Sequence, residues 1–189
     1  VRKCLWITDE KLPQALEIEP VRACIDGVRE MRLKSKDAGT NEMASRGHQF
    51  REMYHGEKHT LILPGVSSEG REYLPVGLID NHSVVSNLAF ALYDAPLWNL
   101  AIIASRLHLV WIATVCGKLK TDFRYSNTLG WNTFPVPLLT EQNKADLTRC
   151  AENILLAREA HFPATIADLY DPDAMPENLR QAHAHNDEV

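Results

Sequence analysis

KHTLILPGVSSEGREYLPVGLIDNHSVVSNLAFALYD (58–94) is a run of short apolar segments broken by turn residues, and it decides the fold. TLILPG (60–65), EYLPVGLI (72–79) and SVVSNLAFALYD (83–94) read as three strands. Pro64, Pro75 and the glycines mark turns or sheet edges, because proline cannot donate to a β-ladder. Upstream, VRKCLWITD (1–9) reads as a further strand, with Leu5 and Ile7 alternating against polar neighbours. Pro20 suits the first turn of a helix, and Val21, Cys24, Ile25, Val28 and Met31 follow at helical spacing down to about Lys36. Downstream, Asp94 is placed to cap one buried helix running through Leu97, Leu100, Ala101 and Leu107 to about Cys116, where Gly117 stops it. Asn99, Arg106 and His108 interrupt that apolar run, which argues for a core helix rather than a membrane span.

Thr140 opens a last long helix whose Leu147, Cys150, Ile154 and Ala157 form a narrow seam suited to packing along another helix. Beyond Pro163, DLYDPDAMPENLRQAHAHNDEV (168–189) reads as loops and short turns, with His183 and His185 in solvent. The expected architecture is α+β: a mixed or antiparallel sheet, covering helices and a helical exit, divided into residues 1–139 and an extension over 140–189. Val1 at the start and a polar run up to Val189 suggest a piece of a longer chain.

With 189 residues, 45% of them hydrophobic, the chain can bury a full core. Cys4, Cys24, Cys116 and Cys150 have no paired spacing, which fits free thiols in a reducing cytoplasm. The net charge of −5 is unevenly spread. Residues 140–189 hold 4 Lys/Arg against 10 Asp/Glu, whereas residues 1–139 hold 16 against 15. The acidity belongs to the tail, so a local basic face on the front part is compatible with nucleic acid.

Catalytic signatures are missing: no glycine-rich nucleotide loop, no Asn-Pro-Pro-aromatic motif and no nuclease-like acid pair with Glu-x-Lys. His55 and His59 have helical metal-ligand spacing, but Gly56 stands where a zinc protease carries glutamate and no third ligand is evident. No catalytic residue, metal site or cofactor is expected in this chain.

The functional reading rests on GKLKTDFRYSNTLGWNTFPVP (117–137). On an extended segment, Lys120, Asp122 and Arg124 share one face, and Phe123 and Tyr125 turn to the other. Such a row is either a self-paired solvent face or a reader of base edges. In the major groove guanine offers two acceptors and cytosine an amino donor, so a lysine and an aspartate two apart can read both halves of one G·C pair. Arg32, Lys34 and Lys36 on the first helix, and Ser67, Ser68 and Arg71 in VSSEGREY (66–73), are candidate phosphate contacts, with a solvated helix face and a plain polar turn as the alternatives.

This segment resembles the target-recognition region of MmeI-like single-chain restriction–modification enzymes (type IIG/IIL). CLWI (4–7), REMRLKSK (29–36), LPGVSSEGREYLPVGLI (63–79) and HLVWIATVCGKLK (108–120) extend the resemblance over nearly the whole chain. It implies double-stranded DNA as the partner. It also implies a parent chain in a prokaryotic cytoplasm whose other domains are a nuclease and an adenine methyltransferase, with S-adenosylmethionine and magnesium belonging to those domains. The positions of Lys120 and Asp122 jointly specify an outer base pair in that family: Lys with Asp implies G, and Glu with Arg implies C. Asn87, Leu88, Thr121 and Arg124 match inner positions. Thr121 is awkward, because a regular strand turns it away from Lys120 unless a bulge or loop intervenes. NTFPVPLLTEQNKADLTRCAENIL (132–155) also resembles the end of a type I specificity-subunit recognition domain, where a helix serves as spacer. A module whose acidic helical tail docks a protein partner is the reading that needs no DNA.

Overall fold

The computed structural model describes residues 3–189 as two compact units, 1–54 and 55–189, of which residues 1 and 2 lie outside the described set. The first unit is helical. After a 3₁₀ turn at Asp9–Lys11 come α1 (Leu12–Leu16), α2 (Glu19–Leu33) and α3 (Ala38–Glu42), then a second 3₁₀ turn at Met43–Arg46. Pro20 lies in the first turn of α2, as expected of a residue with no N–H to satisfy there. The strand expected over 1–9 does not form among its described residues: 3–8 have no regular structure, and residues 1 and 2 lie outside the described set. Its apolar residues pack singly instead, with Ile7 buried and Trp6 stacked on Phe50 at 6.0 Å. A strand needs a ladder partner, and the described residues of this unit form only helices, turns and irregular segments.

The second unit is α+β, with two antiparallel three-stranded sheets. In the first, β1 (His59–Pro64) is central, β3 (Gly77–Asp80) and β4 (Ala89–Tyr93) flank it, and Leu61 and Leu63 are fully buried. The strand expected at 72–79 begins only at Gly77. Pro75 has no N–H to give a ladder, and the Val76 carbonyl accepts instead from Arg158 Nη1 at 2.5 Å. Asp94 does not cap the following helix. Its carboxylate turns back and accepts from the backbone N–H groups of Glu57, Lys58 and His59, at 2.8, 2.7 and 3.2 Å. These bonds hold its pKa below the usual carboxylate range.

The single helix expected over 94–116 is two: α4 (Trp98–Ile103) and α5 (Arg106–Val115). Ser105 makes the break, its hydroxyl donating to Ile102 O at 2.7 Å and accepting from His108 N at 3.1 Å as the cap of α5. The re-aimed axis leaves Leu107 69% exposed, off the expected stripe, and buries His108 completely. No helix among the described residues is long and apolar enough to cross a membrane.

The exit helix, α6 (Glu141–Glu159), starts at a Thr140–Asn143 capping box and packs on α4 through Cys150, Ala151 and Ile154. After α7 (Ile166–Leu169), the tail forms α8 (Glu177–Glu188), packed on α6. Leu179, His183 and Asn186, at helical spacing, are buried on one face of α8. His183 is therefore not solvated as expected: it is fully buried, stacked on Tyr73 at 4.2 Å, while His185 stays exposed.

Candidate nucleic-acid interface

The segment 117–125 folds as a hairpin. β5 (Lys118–Leu119) pairs with β6 (Asp122–Arg124) in the register Lys118↔Phe123 and Leu119↔Asp122. Lys120 and Thr121 are left as a two-residue turn, and Lys120 takes φ 58°, the left-handed region that favoured hairpin turns require. The continuous strand expected here is thereby broken, and the awkwardness of Thr121 disappears, since both residues sit at an exposed tip. A Lys-Thr pair carries no glycine or asparagine signal, so the turn was illegible from sequence.

Beyond the turn the alternation holds. Directly paired residues project to the same side, so Leu119, Asp122 and Arg124 share one face, joined by Val66 of β2 (Val66–Ser67), which pairs with Arg124. Arg124 is exposed, Asp122 half-buried, and Leu119 and Val66 are 53% and 39% exposed. Those two apolar members of the face escaped the sequence reading, because only pairing register reveals them. On the reverse face, Lys118 lies over the Phe123 ring at 5.5 Å and pairs with Glu69 at 3.2 Å.

Gly65 joins the ribbon to the first sheet. Its N–H donates to Leu88 O and its carbonyl accepts from Tyr125 N, each at 3.0 Å. A Cβ there would stand 2.8 Å from Leu88 O, so only glycine fits. One residue thus links the backbone beside Arg124 to the exposed Asn87–Leu88 turn, where Leu88 is 78% exposed. Beneath, Tyr125 is buried, with its hydroxyl 3.1 Å from His108 Nε2. Burial drives the His108 pKa down to about 4, so the ring is neutral.

The structure therefore ties the backbone beside Arg124 to the Asn87–Leu88 turn through Gly65, while Lys120 and Thr121 lie at the hairpin tip, beyond the β2 pairing. The expected phosphate contacts fare differently. Ser67 is 2% exposed and its hydroxyl accepts from Arg71 Nη1 at 3.3 Å, out of reach of an external phosphate. Arg71 Nε donates to Tyr170 O at 3.2 Å, and Ser68 Oγ accepts from Gly70 N at 3.3 Å as a turn residue. In the first unit, the Arg32 guanidinium is held by the carbonyls of Met43, Arg46 and Gln49 at 3.0, 2.7 and 2.8 Å, a structural use. Lys34 pairs with Glu30 at 3.4 Å, and Lys36 lies exposed beyond the end of α2. His55 and His59 do not share a helix: His55 lies in a loop and His59 begins β1, with its Nε2 2.8 Å from Ala95 O.

The second unit is thus an α+β body with a charged hairpin, carrying Lys120, Asp122 and Arg124, at its surface. The chain belongs to the MmeI family: the MmeI target recognition domain matches residues 1–138 and the MmeI C-terminal domain residues 139–189. It is 37% identical over all 189 residues to DNA methyltransferase A of Bacillus subtilis (strain 168). The solved structure of the type IIL restriction–modification enzyme MmeI in complex with DNA matches 98% of the chain, with a TM-score of 0.92 and 32% identity. The chain spans 21% of the first protein and 25% of the second.

Proposed function

We propose that this chain reads DNA sequence for a restriction–modification enzyme that methylates adenine, with Lys120 and Asp122 specifying an outer G·C pair from the major groove. The observation that carries the reading is the hairpin. The major groove admits a two-stranded β-ribbon, and beyond the last β2 pairing at Phe123 the β5–β6 hairpin is two-stranded, with Lys120 in its turn and Asp122 and Arg124 along one face. Lysine donates to guanine O6 and N7, and aspartate accepts from cytosine N4. Arg124, Thr121, Asn87 and Leu88 read inner base pairs, with Leu88 suited to a thymine methyl.

Residues 1–139 act as the reader and residues 140–189 as a helical spacer. The methyl donor S-adenosylmethionine, and magnesium for cleavage, belong to methyltransferase and nuclease domains elsewhere in a longer cytoplasmic chain. Those domains supply much of the phosphate contact that dominates affinity, which accommodates the net charge of −5 here.

Single-molecule sequencing of DNA from cells expressing the full-length protein tests the reading. A methylated adenine in a fixed motif with G at one outer position is expected, and Lys120→Glu with Asp122→Arg should change that base to C. A motif unchanged in the double variant overturns the assignment of these two residues; absence of any fixed motif overturns the DNA-reading role.

A further inference from the structure

We propose that the buried His108–Tyr125 pair is the positioning element that holds the ribbon in register with the Asn87–Leu88 turn, so that it governs discrimination between sequences. The inference rests on the DNA-reading role proposed above.

The geometry forms one continuous path. Ser105 fixes the start of α5 by accepting from His108 N, and His108, fully buried, meets the Tyr125 hydroxyl through Nε2 at 3.1 Å. Phe134 stands edge-on to the imidazole at 4.6 Å and Trp131 at 6.1 Å, which denies the ring another orientation. Gly130 closes the other side. A Cβ there would lie 3.3 Å from Tyr125 Cζ and 3.2 Å from Cys116 Sγ, so any side chain at 130 would press on the tyrosine ring. Tyr125 directly follows Arg124, and its N–H reaches the Leu88 turn through Gly65. A displacement of the Tyr125 ring therefore moves Arg124 and disturbs its spacing from Leu88 together.

The pair is a poor choice if filling space were its whole purpose. His108 Nδ1 is buried without a hydrogen-bond partner, a cost that two apolar side chains of similar size would avoid. What the polar pair provides and an apolar one does not is direction: a hydrogen bond fixes the distance and the rotation of the ring beneath the ribbon. Neither residue reaches solvent, so both act through Arg124 and Leu88 rather than on DNA.

The test compares methylation rates of the full-length protein at its own site and at sites altered by one base. The ratio of the two rates is independent of the fraction of protein folded, so a loss of stability alone leaves it unmoved. Tyr125→Phe keeps the ring and removes the bond. Its ratio should fall about tenfold at inner base pairs, on the scale of one base contact, with the rate at the correct site changed much less. His108→Leu combined with Tyr125→Phe removes the unpartnered polar atoms as well, and should regain melting temperature while the ratio stays low. A ratio within about twofold of wild type in either variant overturns the proposal. A wild-type protein with no fixed motif would instead strike at the DNA-reading role on which the inference stands.

Discussion

The Tyr170 hydroxyl lies 2.6 Å from His183 Nε2, both of them buried, and the same oxygen accepts from Arg158 Nε at 2.9 Å. Arg158 in turn holds Val76 O, so one phenol oxygen ties α6, α7 and α8 to the strand that becomes β3. Tyr170→Phe strips the acceptor from a buried guanidinium and the partner from a buried imidazole. Urea denaturation should show a loss of roughly 2–4 kcal/mol, because the groups left behind remain buried and unmatched.

Acid should weaken the fold well before its carboxylates protonate. Burial lowers the pKa of His108 to about 4 and that of His183 to about 3, from an ordinary value of 6.5. The unfolded chain binds protons below about pH 6.5 that the folded chain refuses, so each histidine contributes a loss of roughly 1.4 kcal/mol per pH unit. The loss stops near pH 4 for His108 and near pH 3 for His183. Denaturation midpoints measured between pH 7 and pH 4 should fall steadily, and His183→Gln should flatten the slope. A midpoint constant over that range would contradict the burial of both rings.

Lys120 occupies φ 58°, where a residue with a Cβ costs about 1–2 kcal/mol relative to right-handed backbone. Lys120→Gly relieves that strain against a smaller entropic penalty in the unfolded chain, and should leave thermal stability unchanged or raised by up to about 1 kcal/mol. The same change should abolish the preference for G at the outer position. Stability kept or gained with selectivity lost would show that lysine occupies the turn for its ammonium group and not for the turn's sake.

Arg32 separates a structural from a DNA-binding role. Arg32→Met removes the donors to Met43, Arg46 and Gln49 and should speed amide hydrogen exchange across 43–49. The slope of DNA affinity against salt should stay unchanged, whereas loss of a phosphate contact would reduce that slope by about 1.

What sequence revealed and what it hid divide along physical lines. Periodicity located β1, β3 and β4, because Leu61, Leu63 and their neighbours lie in short apolar runs, and it located α6, because Cys150 and Ile154 repeat at helical spacing. It failed where a polar side chain serves a distant partner. Asp94 looks like a helix cap and instead binds the backbone at 57–59, and Ser105 looks like an interior residue and ends one helix to start another. His183 looks solvated, because nothing local announces that Tyr73 and Tyr170 cover it. On the hairpin, residue chemistry pointed to Lys120, Asp122 and Arg124 as candidates. The hairpin and the Gly65 junction depend on backbone pairing that composition does not encode. Ser67 and Arg32 are polar groups of the right kind whose hydrogen bonds are made within the protein, which sequence alone does not show.

The tip of the hairpin shares no packing with the interior: Lys120 and Thr121 are exposed, and so is Arg124 along the ribbon. Exchange of side chains there meets water and leaves the cavity-forming and overpacking costs of a core unpaid. On the proposed reading, a lineage carrying this scaffold can therefore try new specificities one or two substitutions at a time without first accumulating stabilising changes. Selection for a different target would leave its record in the 120–124 ribbon while the body beneath stays the same.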